Sequence, residues 1–283
     1  MKIVDAASWR RATGILAGPR TNESNRLARL RITLPSLLVV AAGVFAPLPA
    51  TAQAQDQQPL LLYEASYKIG YADFSEWLSL HRQHAAPILD ELQQEGIIEG
   101  WNAYQHSTGG EYNFKMMIRA ETWAAFDRFW SEYLGRLDQR APDAAARIGA
   151  LIQAHKDEVW DVAEAHFSEQ APPPMAPTYQ YESLFQIGFH ELAEWNRMHE
   201  QYTAPVLNQA MADGLLGGWV RLSHNTGGRY NWKIFYFFRS WDTIDDLFDR
   251  LLPALMADQA VWSRTGGMVR AHDDIIWLSI PQQ

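Results

Sequence analysis

The chain repeats itself once, and this duplication limits its folds more than any other feature of the sequence. The string "HSTGGEYNFK" at 106–115 returns 118 positions later as "HNTGGRYNWK" at 224–233. The match runs without a gap over 63–123 of the first copy. After a one-residue deletion it continues to Trp160 and its counterpart Trp277. A unit of about 105 residues has the size of one domain, so we expect two copies of one small fold.

The repeat and its flanking segments divide the chain into four parts. Between the copies, "SEQAPPPMAP" has the proline content of an extended linker. The predicted parts are an export signal region at 1–54, a first unit at 55–168, a proline-rich linker at 169–178 and a second unit at 179–283.

The first 54 residues have the composition of an export signal. Arg26, Arg29 and Arg31 precede the apolar run "LPSLLVVAAGVFAPLPA", and the small residues Ala52 and Ala54 follow it. This order predicts cleavage after Ala54 and a periplasmic or secreted protein. An uncleaved membrane anchor is the alternative, but the run is short for a span and contains three prolines.

Charge and cysteine content exclude several classes of function. Without residues 1–54 the chain has 17 basic and 31 acidic residues, a net charge of 17 − 31 = −14. Such a charge repels nucleic acid and anionic lipid, so we expect neither as a partner and no stable membrane association after cleavage. The chain has no cysteine, which excludes disulfides, thiolate catalysis, Cys-ligated zinc and c-type haem attachment.

Both units show the same order of predicted elements, β-α-β-β-α-β. A short aromatic strand ends at a glycine, and apolar residues at helical spacing follow over 74–92. Strands at 98–107 and 111–119 are joined by Gly109-Gly110, a dipeptide suited to a tight hairpin. A second helix follows, and a strand containing Trp160 closes the unit.

Two details of the helices are also predicted. Pro87 and Pro205 lie inside the first helix of each unit, so we expect a kink or break near Ala86 and Ala204. Thr122 and Ser240 are predicted to cap the second helices at their N-termini.

This element order, duplicated in one chain, resembles the ferredoxin-like units of the dimeric α+β-barrel superfamily. That superfamily includes proteins similar to antibiotic-biosynthesis monooxygenases, EthD and chlorite dismutases. The resemblance implies an α+β fold in which two four-stranded sheets close a barrel, usually from two chains. We therefore expect a monomer with an intrachain barrel or a homodimer, and a small organic ligand as partner.

The hairpin turn fixes which side chains share a face. With Gly109-Gly110 in the turn, His106 lies opposite Asn113 and Tyr104 opposite Lys115, and these four side chains point to one face. The second copy places His224 opposite Asn231 and Leu222 opposite Lys233. We expect the polar face to line the barrel interior. The apolar residues predicted on the reverse face are Trp101, Ala103, Tyr112, Phe114 and Met116, and in the second copy Trp219, Tyr230, Trp232 and Ile234.

These polar residues are the predicted site. His106, His224, Lys115 and Lys233 are candidates for catalysis, and Asn113, Asn231 and Tyr104 for ligand binding. Lysine attracts a carboxylate, enolate or phenolate, and histidine transfers protons near neutral pH. The pattern is compatible with a cofactor-independent enzyme that performs proton transfer or oxygenation on a small organic anion. Structural pairs in a non-catalytic binding or interaction module are the alternative, since most polar groups on strands are structural.

Five other histidines have separate interpretations. His81 and His199 fall on the apolar stripe of the first helices, where a hydrogen-bonded core role is expected. His81 and His84 have a metal-like spacing that the second copy lacks, so no metal site is predicted. His155 and His272 precede the last strands and are the candidate axial ligands if the barrel binds haem, as some members of the superfamily do.

Overall fold

The computed structural model describes residues 60–168 and 179–281. The predicted signal region and linker, 1–54 and 169–178, lie outside the described residues. No helix in the described part of the chain is long and apolar enough to cross a membrane.

The first unit contains four strands and a layer of helices. The strands are β1 (Leu61–Ile69), β2 (Gly100–Thr108), β3 (Phe114–Ala120) and β4 (Ile152–Phe167), and the helices are α1 (Phe74–Leu80), α2 (Ala86–Gln94), α3 (Trp123–Arg140) and α4 (Pro142–Leu151). A π-helical turn, His81–Ala85, joins α1 to α2.

The second unit repeats this order. Its strands are β5 (Tyr179–Ile187), β6 (Gly218–Thr226), β7 (Trp232–Phe238) and β8 (Val269–Ile280), and its helices are α5 (Leu192–Met198), α6 (Ala204–Ala212), α7 (Asp242–Met256) and α8 (Gln259–Met268). A 3-10 turn at Phe189–Glu191 precedes α5, and the π-helical turn His199–Thr203 joins α5 to α6.

The eight strands form one closed antiparallel barrel. The first unit contributes the order β4-β1-β3-β2 and the second β8-β5-β7-β6. The units join twice, where β2 pairs with β8 and where β4 pairs with β6. Because closure removes every sheet edge, each unit completes the other. The predicted α+β class and the pairing of two ferredoxin-like units within one chain are confirmed.

The strand alternation separates two apolar layers. Odd-numbered positions of β1, such as Tyr63 and Ala65, pack under the helices of their own unit. Even-numbered positions such as Leu62 join Trp160 and Trp277 inside the barrel. Eight strands enclose an interior just wide enough for side chains to fill, and these large rings fill much of it.

The structure bears on two predicted details of the helices. Near Ala86 and Ala204, where a kink or break is expected, a π-helical turn interrupts the regular α-helix just before each residue, and the prolines then occupy the first turn of α2 and α6. Thr122 caps α3 as predicted, with its hydroxyl accepting from the Ala125 amide at 3.2 Å. The prediction of a cap at Ser240 is wrong, since α7 begins at Asp242 without a side-chain cap.

Candidate functional site

The repeated hairpins have the predicted register. Tyr104 pairs with Lys115, and the His106 amide donates to the Asn113 carbonyl at 3.0 Å. Gly109 and Gly110 have φ of +81° and +67°, the positive angles that a tight turn requires of both central residues. The second hairpin follows the same pattern, with Leu222 opposite Lys233.

The two hairpin histidines brace the junctions between the units. His224 Nε2 contacts the carbonyl oxygen of Gly227 at 2.6 Å, within its own turn. Its ring meets Trp160 of the other unit edge-on, with centroids 5.8 Å apart. His106 makes the same contacts with Gly109 and with Trp277. Both rings therefore lie at the hairpin tips rather than inside the barrel.

The two hairpin asparagines clamp neighbouring strands. Asn113 Oδ1 accepts from the Ile69 amide at 2.9 Å, and its Nδ2 donates to the Ile69 carbonyl at 2.7 Å. Asn231 makes the matching pair of bonds to Ile187, at 2.8 and 2.6 Å. Both side-chain groups are thus committed to backbone. The structure places neither asparagine in the barrel interior, contrary to the expected lining.

Tyr112 and Tyr230 also depart from the expected faces. Both were predicted on the helix side, but they pack with the cluster inside the barrel. The strands β3 and β7 begin two residues later, so strict alternation does not extend to these positions. Tyr112 also joins His106 and Asn113 along a surface cleft of about 290 Å³ at this end of the first unit.

The predicted lysines do enter the barrel and are almost completely buried. Lys115 Nζ donates to Gln180 Oε1 at 2.6 Å and to Glu182 Oε2 at 2.9 Å. The Tyr104 ring lies over the same ammonium group, 5.4 Å from its centroid, as do two further rings. Burial lowers the pKa of Lys115 despite the carboxylates around it.

Lys233 has more carboxylate partners. Its Nζ lies 2.7 Å from Glu182 Oε1 and 3.4 Å from Glu158 Oε2, and it also pairs with Glu64 Oε2. Burial acts against the charge of Lys233, but these three carboxylates raise its pKa above the usual range. With three protein acceptors around one ammonium group, Lys233 has no donor left for a ligand anion.

The acidic partners differ in their protonation behaviour. Burial disfavours the charge of Glu182, but the two lysines outweigh it and lower the pKa of that carboxyl. Burial raises the pKa of Glu64, for which lysine contacts compensate only in part. The interior is therefore an ion network that joins the units, and the lysines hold the protein's own carboxylates.

A second polar cluster lies on the helix side of the second unit, and Glu164 is at its centre. Its Oε1 accepts from Arg221 Nε at 3.2 Å and from Nη2 at 2.7 Å. Its Oε2 lies 3.9 Å from Nε2 of both His199 and His166. Glu164 and His166 come from the end of β4, so the first unit supplies part of a site under the helices of the second.

His199 is the unusual member of this cluster. It begins the π-helical turn and packs edge-on against Trp219 and Trp232, with centroids 5.4 and 5.3 Å away. His199 is only 4% exposed, yet neither of its ring nitrogens has a hydrogen-bond partner. The 3.9 Å separation from Glu164 is an ion-pair distance, too long for a hydrogen bond. Burial lowers the pKa of His199 to about 4.

Asn196 and His166 complete the cluster. Asn196 Oδ1 accepts from Arg221 Nη1 at 3.2 Å and from Trp232 Nε1 at 2.9 Å, which fixes the guanidinium beside the sheet. The His166 ring stacks on Trp219 with centroids 4.3 Å apart and is 44% exposed. The cluster thus reaches from a buried histidine to solvent.

The first unit lacks this cluster. Its aligned positions have Leu78 for Asn196 and Ala103 for Arg221, and the residue aligned with Glu164 is Pro281. Only the buried histidine persists, as His81, whose pKa burial also lowers to about 4. Sequence reasoning assigned His199 to a hydrogen-bonded core and missed the site. The available signal was the exchange of apolar for polar residues between otherwise matching copies.

The two candidate haem ligands are held by aspartates. His155 Nε2 lies 3.4 Å from Asp157, and His272 Nε2 lies 3.1 Å from Asp274. The bond to Asp274 raises the pKa of His272. A carboxylate on one ring nitrogen is also the usual partner of a metal-bound histidine, so the axial role of His155 and His272 stays a prediction. Within the described ranges, no group of three His, Asp or Glu side chains is arranged to hold a metal ion.

Comparison with known proteins identifies the fold. No protein-family model and no curated protein matches the chain. A candidate monooxygenase from Lactobacillus acidophilus NCFM matches with a TM-score of 0.51 and 11% identity, over 78% of this chain and 94% of that one. An anthrone oxidase-like protein matches with a TM-score of 0.51 and 11% identity, over 80% of this chain and 92% of that one. A chlorite dismutase point mutant from Candidatus Nitrospira defluvii matches with a TM-score of 0.50 and 11% identity, over 79% of this chain and 92% of that one.

At these identities the likeness concerns the fold alone. The chain has the fold of these α+β barrels, built here from two units of a single chain. No specific family is identified, and the activity must be argued from the site.

Proposed function

We propose that this single-chain α+β barrel is an exported small-molecule-binding protein that removes a proton from a weakly acidic organic molecule and leaves a small organic anion. The site is the Glu164 cluster of the second unit. The observation that carries the proposal is His199, a buried histidine with two unpartnered ring nitrogens beside a carboxylate and a guanidinium.

His199 is the proposed base. With a pKa of about 4 it is neutral at neutral pH, so one ring nitrogen can accept a proton from a bound phenol or enol. The imidazolium that forms needs a negative partner, and Glu164 Oε2 lies 3.9 Å away. A ligand that draws these two groups together would raise the basicity of His199 when it is needed, as an orienting carboxylate does in other histidine-based sites.

Arg221 is the proposed partner of the anion. Its guanidinium is held by Glu164 and Asn196, so it can face developing negative charge without rearranging. His166, partly exposed beside Glu164, gives the proton a route to solvent. Two structural relatives with a monooxygenase or anthrone oxidase-like description support this class of chemistry by analogy only.

The test uses 4-nitrophenol, whose absorbance distinguishes the phenol from the phenolate. We expect residues 55–283 to bind it and to shift its spectrum toward the phenolate below its solution pKa. His199→Gln should abolish the shift. The matched control is His81→Gln, which alters the equivalent buried histidine of the first unit and should leave the shift unchanged.

Two outcomes would count against the proposal. Equal loss of binding in His199→Gln and His81→Gln would mean that folding, not the site, was disturbed. Binding without a spectral shift, unaffected by His199→Gln, would favour a non-catalytic binding module.

Export is a separate part of the proposal. It rests on the charge and apolar pattern of residues 1–54 and predicts a mature protein that begins at Gln55. N-terminal sequencing of the protein recovered from the periplasm or medium would test it. An intact N-terminus on membrane-bound protein would indicate the anchor instead.

A further inference from the structure

Inside the barrel, the second unit has a hydrogen bond that the first unit lacks. In the second unit Trp277 Nε1 donates to Glu182 Oε2 at 2.7 Å. The counterparts in the first unit are Trp160 and Glu64, which occupy equivalent positions on paired strands. There, Trp160 Nε1 and Glu64 Oε1 are both buried and neither has a protein hydrogen-bond partner.

Both groups lie around the same ammonium group. Lys233 Nζ is 4.3 Å from the centroid of the Trp160 ring and pairs with Glu64 Oε2. A buried indole N–H and a buried carboxylate oxygen without partners each cost free energy. In the second unit Trp277 and Glu182 avoid this cost by bonding to each other. In the first unit a third group that bonds to both Trp160 and Glu64 would remove it.

Glu158 adds a further acceptor at this place. It lies directly opposite Glu64 in the β1–β4 pairing, and the residue aligned with it in the second unit is Ile275. Its buried Oε1 has no hydrogen bond, although Lys156 Nζ lies 3.2 Å away as an ion-pair partner. The first unit's half of the interior therefore presents one donor and two carboxylate acceptors.

We propose that Trp160 Nε1, Glu64 Oε1 and Glu158 Oε1 form a second binding site, for a small neutral molecule that accepts one hydrogen bond and donates two. Water is the smallest such molecule, and an uncharged primary amine or amide carries the same donor pattern. Two carboxylates exclude an anion, and an ammonium ion has no lone pair for the indole N–H. Three hydrogen bonds are typical of a buried water.

The three residues of the site are buried, but a neighbouring lysine is partly exposed. Lys156, whose side chain is 32% exposed, contacts Glu158 and lies 5.8 Å from the centroid of the Tyr112 ring. Tyr112 in turn lines the cleft of about 290 Å³. Gly228 packs directly against the Glu158 carboxylate, where a Cβ atom would overlap it.

A high-resolution crystal structure of residues 55–283, grown without amines or amides, tests the site. We expect one density peak within hydrogen-bond distance of all three atoms, and its loss in Glu158→Ile, which installs the residue of the second unit. Trp277→Phe should leave the peak in place, because it breaks only the direct bond to Glu182. A direct Trp160 Nε1 to Glu64 bond with no peak in the wild-type structure would overturn the proposal.

Native mass spectrometry of the same sample separates the two sources of the ligand. A peak without added mass identifies water, and a peak with a fixed added mass identifies an organic ligand with the same donor pattern. The proposed base His199 lies on the helix side of the sheet, so failure of this site would leave the 4-nitrophenol result unaffected, and the reverse also holds.

Discussion

Lys115 and Lys233 share one carboxylate. The two ammonium groups enter the barrel from different units, and they lie 2.9 and 2.7 Å from the two oxygens of Glu182. Lys115 belongs to the first unit and bonds to the second, whereas Lys233 belongs to the second and also bonds to Glu64 and Glu158 of the first. The ion network is therefore a contact between the units.

Glu182→Gln should destabilise the barrel severely. The substitution leaves two buried ammonium groups with less negative charge around them, and breaking a buried ion pair on one side costs about 3–5 kcal/mol. Chemical denaturation should show this loss in the free energy of unfolding. Glu64→Gln is the matched control, since Lys233 keeps two carboxylates and the raised pKa of Glu64 shows that its charge is poorly compensated. We expect its cost to be about 1 kcal/mol or less, and equal costs would contradict the shared role of Glu182.

The free energy of unfolding should fall as the pH is lowered from 6.5 toward 4. His81 and His199 have a folded-state pKa of about 4 against an ordinary value of 6.5, so the unfolded chain binds their protons first. Their contribution is complete above pH 6.5 and is lost as the pH falls through the folded-state value. Each histidine should add a slope of about 1.4 kcal/mol per pH unit within this window.

Denaturation curves at several pH values, repeated for His81→Phe and His199→Phe, would isolate this effect. Each substitution should remove about half of the slope due to the two histidines. An unchanged slope in both variants would mean that neither ring is held neutral by burial.

Gly109→Ala and Gly227→Ala should weaken the junctions between the units. Both glycines have positive φ, and a Cβ atom on them would overlap the backbone carbonyl oxygen of Asp274 or Asp157 in the other unit. We expect a loss of about 2–4 kcal/mol in the free energy of unfolding for each. Gly96→Ala is the control, because Gly96 has φ of +69° but open space around it, and about 1 kcal/mol is expected there. A loss no larger than that of Gly96→Ala would refute close docking of the hairpins.

Much of the fold could be predicted from the sequence because its signals are local and occur twice. The two glycines of the turn determined the hairpin register, which pairs Tyr104 with Lys115. The alternation of side chains along each strand then predicted that Lys115 faces the interior. The predictions that failed concern residues just beyond the end of a strand or before the start of a helix, where the local pattern no longer applies. Alternation could not be carried beyond the strand to Tyr112, and the Ser240 cap depended on a helix start that the chain places one residue later.

The candidate site was harder to predict for a related reason. Glu164 reaches His199 only because β4 pairs with β6 of the other unit, a contact that neither copy encodes alone. The repeat drew attention to matching residues such as His106 and Asn113, which turned out to hold the hairpins in place. The site instead includes residues at which the copies differ, including Asn196 and Arg221.

The most direct test of the central claim is a histidine-selective nitrogen NMR spectrum of residues 55–283, recorded at neutral pH before and after addition of 4-nitrophenol. The ring nitrogens of His199, assigned by its loss in His199→Gln, should change from the neutral to the protonated pattern as the phenolate forms, while those of His81 stay neutral. A His199 ring that remains neutral with 4-nitrophenol bound would contradict its role as the base.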